Sequence, residues 1–281
     1  MDDAVGAIWQ RLSVLPRPRL SELFARDGGR VGQLSARLEL GETGILFDWS
    51  KTHLDAAHLD IFAELAAVMD FSGKRAALFA GDIVNLTENR AAEHTAQRGL
   101  GKETSVEEAV ALHARMRSLV EAIHAGALGE IRHLIHIGIG GSALGPALAV
   151  DALSRDGAEV DVHVVSNIDG LALEAACAAC DPAATLIAVA SKTFTTVETM
   201  TNAASALGWL ETNGVADPYG RVVALTAYPD KAVEWGVDET RVLPFQESVG
   251  GRYSLWSSIG FPVALALGWH AFAVFLVGAA A

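Results

Sequence analysis

The sequence contains few cysteines and few basic residues. Only two of its 281 residues are cysteine, which is too few for the disulfide framework of a small secreted protein. Residues 1–5 lack the basic region and apolar core of a signal peptide. Lys and Arg total 21 against 34 for Asp and Glu, a formal net charge of -13, which argues against a nucleic-acid groove and an anionic membrane surface. We therefore expect a cytoplasmic protein in which an anionic ligand needs a local site.

The two cysteines form a C-x-x-C pair, Cys177 and Cys180. They fall late in a helical pattern, whereas a redox pair needs the N-terminus of a helix, where the thiolate is stabilised. A structural zinc ion would need two more ligands close by in the sequence. The pattern therefore predicts two packed thiols and no metal.

Charge is also missing from the end of the chain, since residues 253–281 contain no Asp, Glu, Lys or Arg. Hydropathy alone would predict a tail-anchored membrane helix. Small residues and a proline interrupt the run, however, and no basic flank would set an orientation. We expect buried core helices and no membrane partner. The apolar run stops at residue 281 without a C-cap, and we expect the natural chain to continue.

Residues 1–104 are expected to be mainly helical, with polar loops at residues 47–51 and 84–90. A clear helix follows. Ser105 and Glu108 have the spacing of a capping box, apolar residues recur at helical spacing, and Gly126 is placed as the stop signal. This helix opens a second segment, which we place at residues 105–268.

From residue 133 the pattern changes to short apolar runs that alternate with Ala-rich helical stretches. The predicted strands are residues 133–139, 161–165, 185–190, 222–226 and 242–245, and the predicted helices lie near 143–155, 169–180, 196–213 and 229–235. Continuous apolar strands separated by helices are typical of a parallel sheet covered on both faces. The fold class is therefore α/β, with a doubly wound parallel five-stranded sheet and ligands at the carboxyl ends of its strands. Residues 269–281 would begin a helix that leads into a further domain.

Residues 191–196 (Ser-Lys-Thr-Phe-Thr-Thr) follow a buried strand and lead into a helix. The first turn of a helix has unpaired N–H donors and a partial positive charge, and hydroxyl groups add donors that a phosphate can accept from. Ser and Thr are also common structural N-caps. This turn alone therefore leaves both interpretations open.

A second Gly/Ser-rich turn, residues 137–146 (Ile-Gly-Ile-Gly-Gly-Ser-Ala-Leu-Gly-Pro), ends the first strand of the sheet. Its glycines let backbone N–H groups approach an anion. It partly matches the dinucleotide motif G-x-G-x-x-G, with Asp161 as the later acid. Asp161 begins its strand, whereas a ribose would sit at the carboxyl end, so we favour a phosphate held between the two turns.

A third motif, residues 249–257, places Arg252 between two glycines and an apolar run. A charge is uncommon in such surroundings unless it has a partner. One interpretation is a structural ion pair with Glu247. The other is a guanidinium aimed at an oxyanion, which it stabilises without giving up its proton.

Residues 137–146, 191–199 and 249–257 together resemble the glucose-6-phosphate isomerase (phosphoglucose isomerase) family in order and spacing, and the resemblance extends through residues 48–51, 85–90 and 165–170. It implies a sugar-isomerase (SIS) fold and reversible interconversion of glucose 6-phosphate and fructose 6-phosphate through an enediolate, without metal or organic cofactor. Two small departures are Ala143, where an acidic residue is common, and Trp49, where tyrosine is usual.

The resemblance also implies which residues form the site. Arg252 matches the arginine that stabilises the enediolate, and is the implied catalytic residue. The implied substrate-binding residues are Gly141, Ser142, Ser191, Lys192 through its backbone, Thr193, Thr196 and Gly251. Glu198 would lie beside the bound phosphate and repel it, so we interpret it as a helix-surface or capping group.

The family's base glutamate, ring-opening histidine and later lysine come from a C-terminal half that would lie beyond residue 281. We therefore expect this chain to be an N-terminal portion that binds sugar phosphate weakly and does not isomerise it. The full-length protein is expected to form a homodimer. The alternatives are a SIS-type module that binds a phosphosugar to regulate a partner and, less favoured, the tail-anchored protein.

Overall fold

The computed structural model describes residues 3–41 and 43–281. The chain divides into two compact units, one ending at Ala77 and one running from Leu78 to Ala280. This division lies upstream of the boundary at residue 104 that the sequence suggested. Residue 104 falls instead near the start of a long helix.

The first unit contains helices and a two-stranded hairpin. Its elements are α1 (Asp3–Ser13), α2 (Leu20–Arg26), α3 (Arg30–Gln33), β1 (Ser35–Leu40), β2 (Thr43–Asp48), α4 (Ala56–Val68) and α5 (Phe71–Ala80), the last of which runs into the second unit. Ile8 of α1 packs on Ile61 and Leu65 of α4. The antiparallel pairing of β1 with β2 runs from Ser35 opposite Asp48 to Leu40 opposite Thr43.

The segment is mainly helical as expected, and the hairpin is an addition that the sequence did not indicate. Phe47 and Asp48, expected in a loop, are the last residues of β2. Both strands are short and largely exposed, so they lack the buried apolar alternation by which strands are recognised in a sequence. The loop expected at residues 84–90 is present, with turns between a single β-bridge of Asn85 and Arg90.

The second unit contains the long helix α6 (Glu103–His124). Its expected capping box is wrong, because the N-cap is Lys102 and Ser105 already lies inside the helix. The Ser105 hydroxyl donates to Glu93 at 2.6 Å, and Glu108 accepts from Gln246 at 2.9 Å. The expected stop is correct, since the helix ends at His124 and Gly126 adopts a φ of 84°.

The five-stranded parallel sheet confirms the predicted fold class. Its strands are β3 (His133–Gly138), β4 (Asp161–Val165), β5 (Thr185–Ala190), β6 (Val222–Thr226) and β7 (Val242–Pro244), in the spatial order β4-β3-β5-β6-β7. The crossover helices are α7 (Gly141–Leu153), α8 (Gly170–Ala178), α9 (Val197–Thr212) and α10 (Pro229–Trp235). All four pairings are parallel. The change of direction between β3 and β5 brings the turns after these two strands to one edge, as in other doubly wound sheets.

Two apolar cores cover the two faces of this sheet. One includes Leu134 and Leu186 with α6 and the C-terminal helix, and the other includes Ile135 and Ile187 with α8 and α9. Alternate residues of each strand therefore point to opposite cores, which is why the strands are apolar throughout.

The C-terminal helix α11 (Phe261–Ala280) is broken at Gly268, whose φ of 80° and ψ of 155° are not helical. Residues before the break are buried, as expected of a core helix. After the break Phe272 is buried, whereas Val274 and Val277 are 57% and 71% exposed. Within the described residues, the stretch Ser258–Ala280 is long and apolar enough to cross a membrane by length and composition alone.

Candidate functional site

The three Gly- and hydroxyl-rich motifs meet in one pocket at the carboxyl edge of the sheet. The pocket has a volume of about 290 Å³. It is lined by Ile139, Gly141, Ser142, Ala190, Ser191, Lys192, Thr193, Thr196, Thr199 and Gly251. All seven substrate-binding residues that the sequence suggested are therefore brought together, although they come from three separate parts of the chain.

The turn between β5 and α9 supplies most of the pocket's hydroxyl groups. Thr196 is the N-cap residue of α9, but its side chain makes no capping hydrogen bond. Its hydroxyl instead lies 3.1 Å from that of Ser191, and the hydroxyls of Thr193 and Thr195 lie 2.8 Å apart. The first N–H groups of α9 are left without a side-chain cap, so an anion in the pocket would find both backbone and hydroxyl donors.

Phe194 holds this turn in shape. It has a φ of 52°, in the left-handed region that a bulky side chain seldom adopts. Its ring is buried and meets Trp235 edge-on, with centroids 5.9 Å apart. We infer that this packing offsets the backbone strain and keeps the neighbouring hydroxyls at the pocket.

Thr199 is a pocket residue to which the sequence analysis gave no role. Its side chain is 1% exposed, and its hydroxyl has no hydrogen-bond partner among the described residues. A buried hydroxyl without a partner is destabilising, so most such groups are paired with a ligand or water. Its place one turn beyond Thr196 on α9 was the sequence signal that could have identified it.

Lys192 contributes its backbone to the pocket while its side chain holds a neighbouring loop. The ammonium group donates to the carbonyl oxygens of Glu247 at 2.6 Å and Val249 at 3.2 Å. Burial, followed by the charge of Arg90, lowers the pKa of Lys192. The side chain thus connects the β5 turn to the loop that leads into Gly251.

Gly141 and Gly251 allow two backbone segments to touch. A Cβ atom at Gly141 would lie 2.1 Å from the carbonyl carbon of Gly251 and 2.6 Å from the amide nitrogen of Arg252. Only glycine permits this approach. The hydroxyl of Ser254 donates to the carbonyl oxygen of Gly251 at 2.6 Å, which fixes the same segment.

His136 supports the first turn of α7 from inside the sheet. Its Nε2–H donates to the carbonyl oxygen of Ser142 at 2.7 Å. In a regular helix that carbonyl would accept from residue 146, but Pro146 has no N–H. His136 therefore satisfies the acceptor that Pro146 leaves unpaired, and so fixes Ser142 at the pocket. The proline inside the α7 pattern was the sequence signal for such a donor.

Arg252 follows Gly251 but does not itself line the pocket. Its side chain is exposed, and among the described residues no hydrogen bond or ion pair engages it. The suggested ion pair with Glu247 is not formed, because the Glu247 carboxylate pairs with Arg90 at 3.0 Å and accepts from Tyr228 at 2.7 Å. The guanidinium is therefore available to a ligand.

The pocket's lining includes no Asp, Glu, His or Cys among the described residues, and so offers no side chain that usually binds a catalytic metal. Glu198 lies in the first turn of α9, half-buried and outside the lining. Larger cavities, of about 670, 620 and 580 Å³, lie elsewhere. In the cavity of about 620 Å³ the guanidinium of Arg115 already donates to the backbone carbonyls of Val242 and Glu239, which reduces what it can offer an anion.

The contact of Gly141 with Gly251 can be tested by Gly141→Ala. We expect the added methyl group to push the Gly251–Arg252 segment away, to destabilise the protein by about 1–3 kcal/mol, and to weaken phosphate binding. Urea denaturation and calorimetric titration would measure the two effects. Gly208→Ala on α9 is the control, since no atom lies within 4 Å of its Cβ position. Equal behaviour of the two variants would contradict the contact.

The chain is similar to known proteins over nearly its whole length. A model of the family described as Phosphoglucose isomerase matches residues 48–281. Glucose-6-phosphate isomerase of Novosphingobium aromaticivorans is 74% identical over 273 residues, which are 97% of this chain and 54% of that protein. The enzyme of the same description from Zymomonas mobilis is 56% identical over 279 residues, which are 99% of this chain and 54% of that protein.

A crystal structure of a glucose-6-phosphate isomerase from Chlamydia trachomatis has a TM-score of 0.81 at 24% identity, and covers 99% of this chain and 54% of that one. This similarity confirms the predicted fold. The chain spans about half the length of the curated relatives it matches. The family model and the high identities together show that the chain belongs to the phosphoglucose isomerase family.

Proposed function

We propose that this chain supplies the phosphate-binding part of an enzyme that interconverts glucose 6-phosphate and fructose 6-phosphate, a step of glycolysis and gluconeogenesis. The observation that carries the proposal is the single pocket in which all three motifs meet. The names of the relatives support the reaction. We keep a cytoplasmic location and a homodimer of the full-length protein as predictions.

In this proposal the phosphate binds first. The hydroxyl groups of Ser142, Ser191 and Thr196 and the N–H groups at the start of α9 donate hydrogen bonds to its oxygens. Thr199 provides a further buried donor. The phosphate anchors the sugar, so that its C1 and C2 carbons are held in one orientation above the pocket.

Arg252 acts on the part of the sugar that reacts. After ring opening, removal of the C2 proton produces an enediolate, and reprotonation at C1 gives the ketose. An arginine stabilises that anion because its guanidinium remains charged throughout. We assign the proton-accepting base to the part of the relatives' length that this chain does not match, since no carboxylate lines the pocket among the described residues.

The chain alone is expected to bind glucose 6-phosphate weakly, not to bind glucose, and not to isomerise either. Calorimetric titration would measure binding, and an assay coupled to a dehydrogenase would measure turnover. Ser191→Ala should weaken binding, whereas Ser205→Ala, on the exposed part of α9, is the matched control. Normal turnover by the chain alone would contradict the assignment of the base.

A chimera tests the proposal as a whole. This chain would replace the matching part of the Novosphingobium aromaticivorans enzyme, which is 74% identical to it. We expect the chimera to isomerise glucose 6-phosphate. A folded chimera that binds the sugar phosphate without turnover would instead favour the phosphosugar-binding regulatory module.

A further inference from the structure

Three side chains of the types that bind metal ions meet at the edge of the sheet opposite to the pocket. They are His133, His163 and Cys180, and one donor atom from each lies within 4.8 Å of the others. They come from three elements: the start of β3, the middle of β4 and the segment after α8. The sequence could not place them together, because neither histidine is near Cys180 along the chain.

The fold explains the meeting. His133 lies on the same side of β3 as Ile135, which is opposite His163 in the register with β4. The core on that face also contains Leu173 of α8 and, packed against it, Cys180. His133 lies at the start of β3 and the pocket at its end, about 16 Å apart, because the six residues of β3 span five steps with a rise of about 3.3 Å each.

The two histidines are available to a ligand. Nδ1 of His133 is buried and has no hydrogen-bond partner among the described residues, although the Asp161 carboxylate is 4.0 Å away. Burial, followed by the charge of His133, lowers the pKa of His163, which favours the neutral ring that a metal ion binds. The side chain of Asp161 is 73% exposed, which leaves a route from solvent.

We propose that His133, His163 and Cys180 bind one Zn²⁺ ion, with a water molecule in the fourth position. Mixed imidazole and thiolate donors suit zinc, which is bound by such sets in a tetrahedral arrangement. Zinc–ligand bonds of about 2.0–2.3 Å put the donors roughly 3.3–3.6 Å apart. The three side chains would therefore close by about an ångström, which rotation about their χ angles supplies.

The thiol must lose its proton when the metal binds. Burial raises the pKa of Cys180 to about 11, so it is a thiol in the metal-free protein. Binding replaces the S–H bond with a Zn–S bond and releases one proton to solvent. The metal would connect the edge strand β4 to β3 and to the end of α8, where Cys180 otherwise packs against the apolar core and hydrogen-bonds with the side chain of Thr185.

The test uses the untagged chain, reduced and freed of metal with a chelator. We expect one equivalent of Zn²⁺ in competition with a coloured chelator, a rise in melting temperature with Zn²⁺, and a thiolate-to-cobalt charge-transfer band with Co²⁺. Cys180→Ser should remove the band and lower zinc affinity at least tenfold. Cys177→Ser, the same change one turn earlier, is the control and should alter neither.

His163→Asn gives a second variant should Cys180→Ser fold poorly, and it should also lower zinc affinity at least tenfold. Circular dichroism and retained sugar-phosphate binding would show that each variant is folded. Two results would overturn the proposal: no stoichiometric binding to the folded wild-type chain, or equal loss of zinc in Cys177→Ser and Cys180→Ser. Neither result bears on the phosphate pocket, which lies at the other edge.

Discussion

Replacing Arg252 by alanine in the full-length chimera is expected to lower turnover by about 10²- to 10³-fold, the usual effect of removing one donor to a developing oxyanion. The side chain is exposed and unpaired among the described residues, so its loss leaves no buried partner and should cost little stability. In the proposed function the phosphate is held by other residues, those that line the pocket. The loss should therefore fall on kcat, with KM changed much less.

Two other arginine substitutions serve as controls for Arg252→Ala. Arg252→Lys keeps the charge but lacks the planar fork of donors, and should recover only part of the rate. Arg155→Ala removes an exposed arginine that pairs with Asp151 at the far end of α7, and should leave both constants unchanged. An unaltered kcat in Arg252→Ala would remove Arg252 from the mechanism.

The five strands and their crossover helices were predictable because each is a continuous apolar run between clear stop signals. Strand β5 is buried at every position, and its continuous apolar sequence is the pattern expected of such a strand. The hairpin of β1 and β2 was not predictable on these grounds, since it is mostly exposed. The capping box at Ser105 failed because a tertiary partner, Glu93, competes for the hydroxyl.

The residues of the site also differ in whether the sequence alone could identify them. Gly141, Ser191 and Gly251 lie in motifs whose residue types already indicate anion binding, and the topology brings them together. Thr199 and His136 act through burial and through a contact made only in the folded chain. Hydrogen bonds between distant segments of this kind leave no periodic pattern in the sequence, so the structure is needed to find them.

His136 leads to the largest expected effect on stability. Burial lowers the pKa of His136 from 6.5 to about 4, and its Nδ1 has no partner among the described residues that could stabilise a proton there. Between these two pH values the unfolded chain binds a proton that the folded chain does not. Stability is therefore full above pH 6.5 and falls as the pH drops toward 4.

A shift of this size corresponds to about 3 kcal/mol across the whole interval. His136→Gln keeps an N–H donor for the carbonyl oxygen of Ser142 but removes the titration. We expect urea denaturation, followed by the fluorescence of the second unit's tryptophans, to show the wild type losing about 3 kcal/mol more than the variant between pH 7 and pH 4.

The diagnostic quantity is the slope of the unfolding free energy against pH, compared between the wild type and His136→Gln. The absolute stabilities are not diagnostic, because the glutamine can lower stability at every pH. Burial also lowers the pKa of His94 and His113, but both histidines are present in the two proteins and their contributions cancel. If the slopes agree, His136 titrates alike in the folded and unfolded chains and is not held neutral. If they differ as expected, acid should also weaken sugar-phosphate binding in the wild type more than in His136→Gln, because a protonated His136 disturbs the first turn of α7 and with it Ser142.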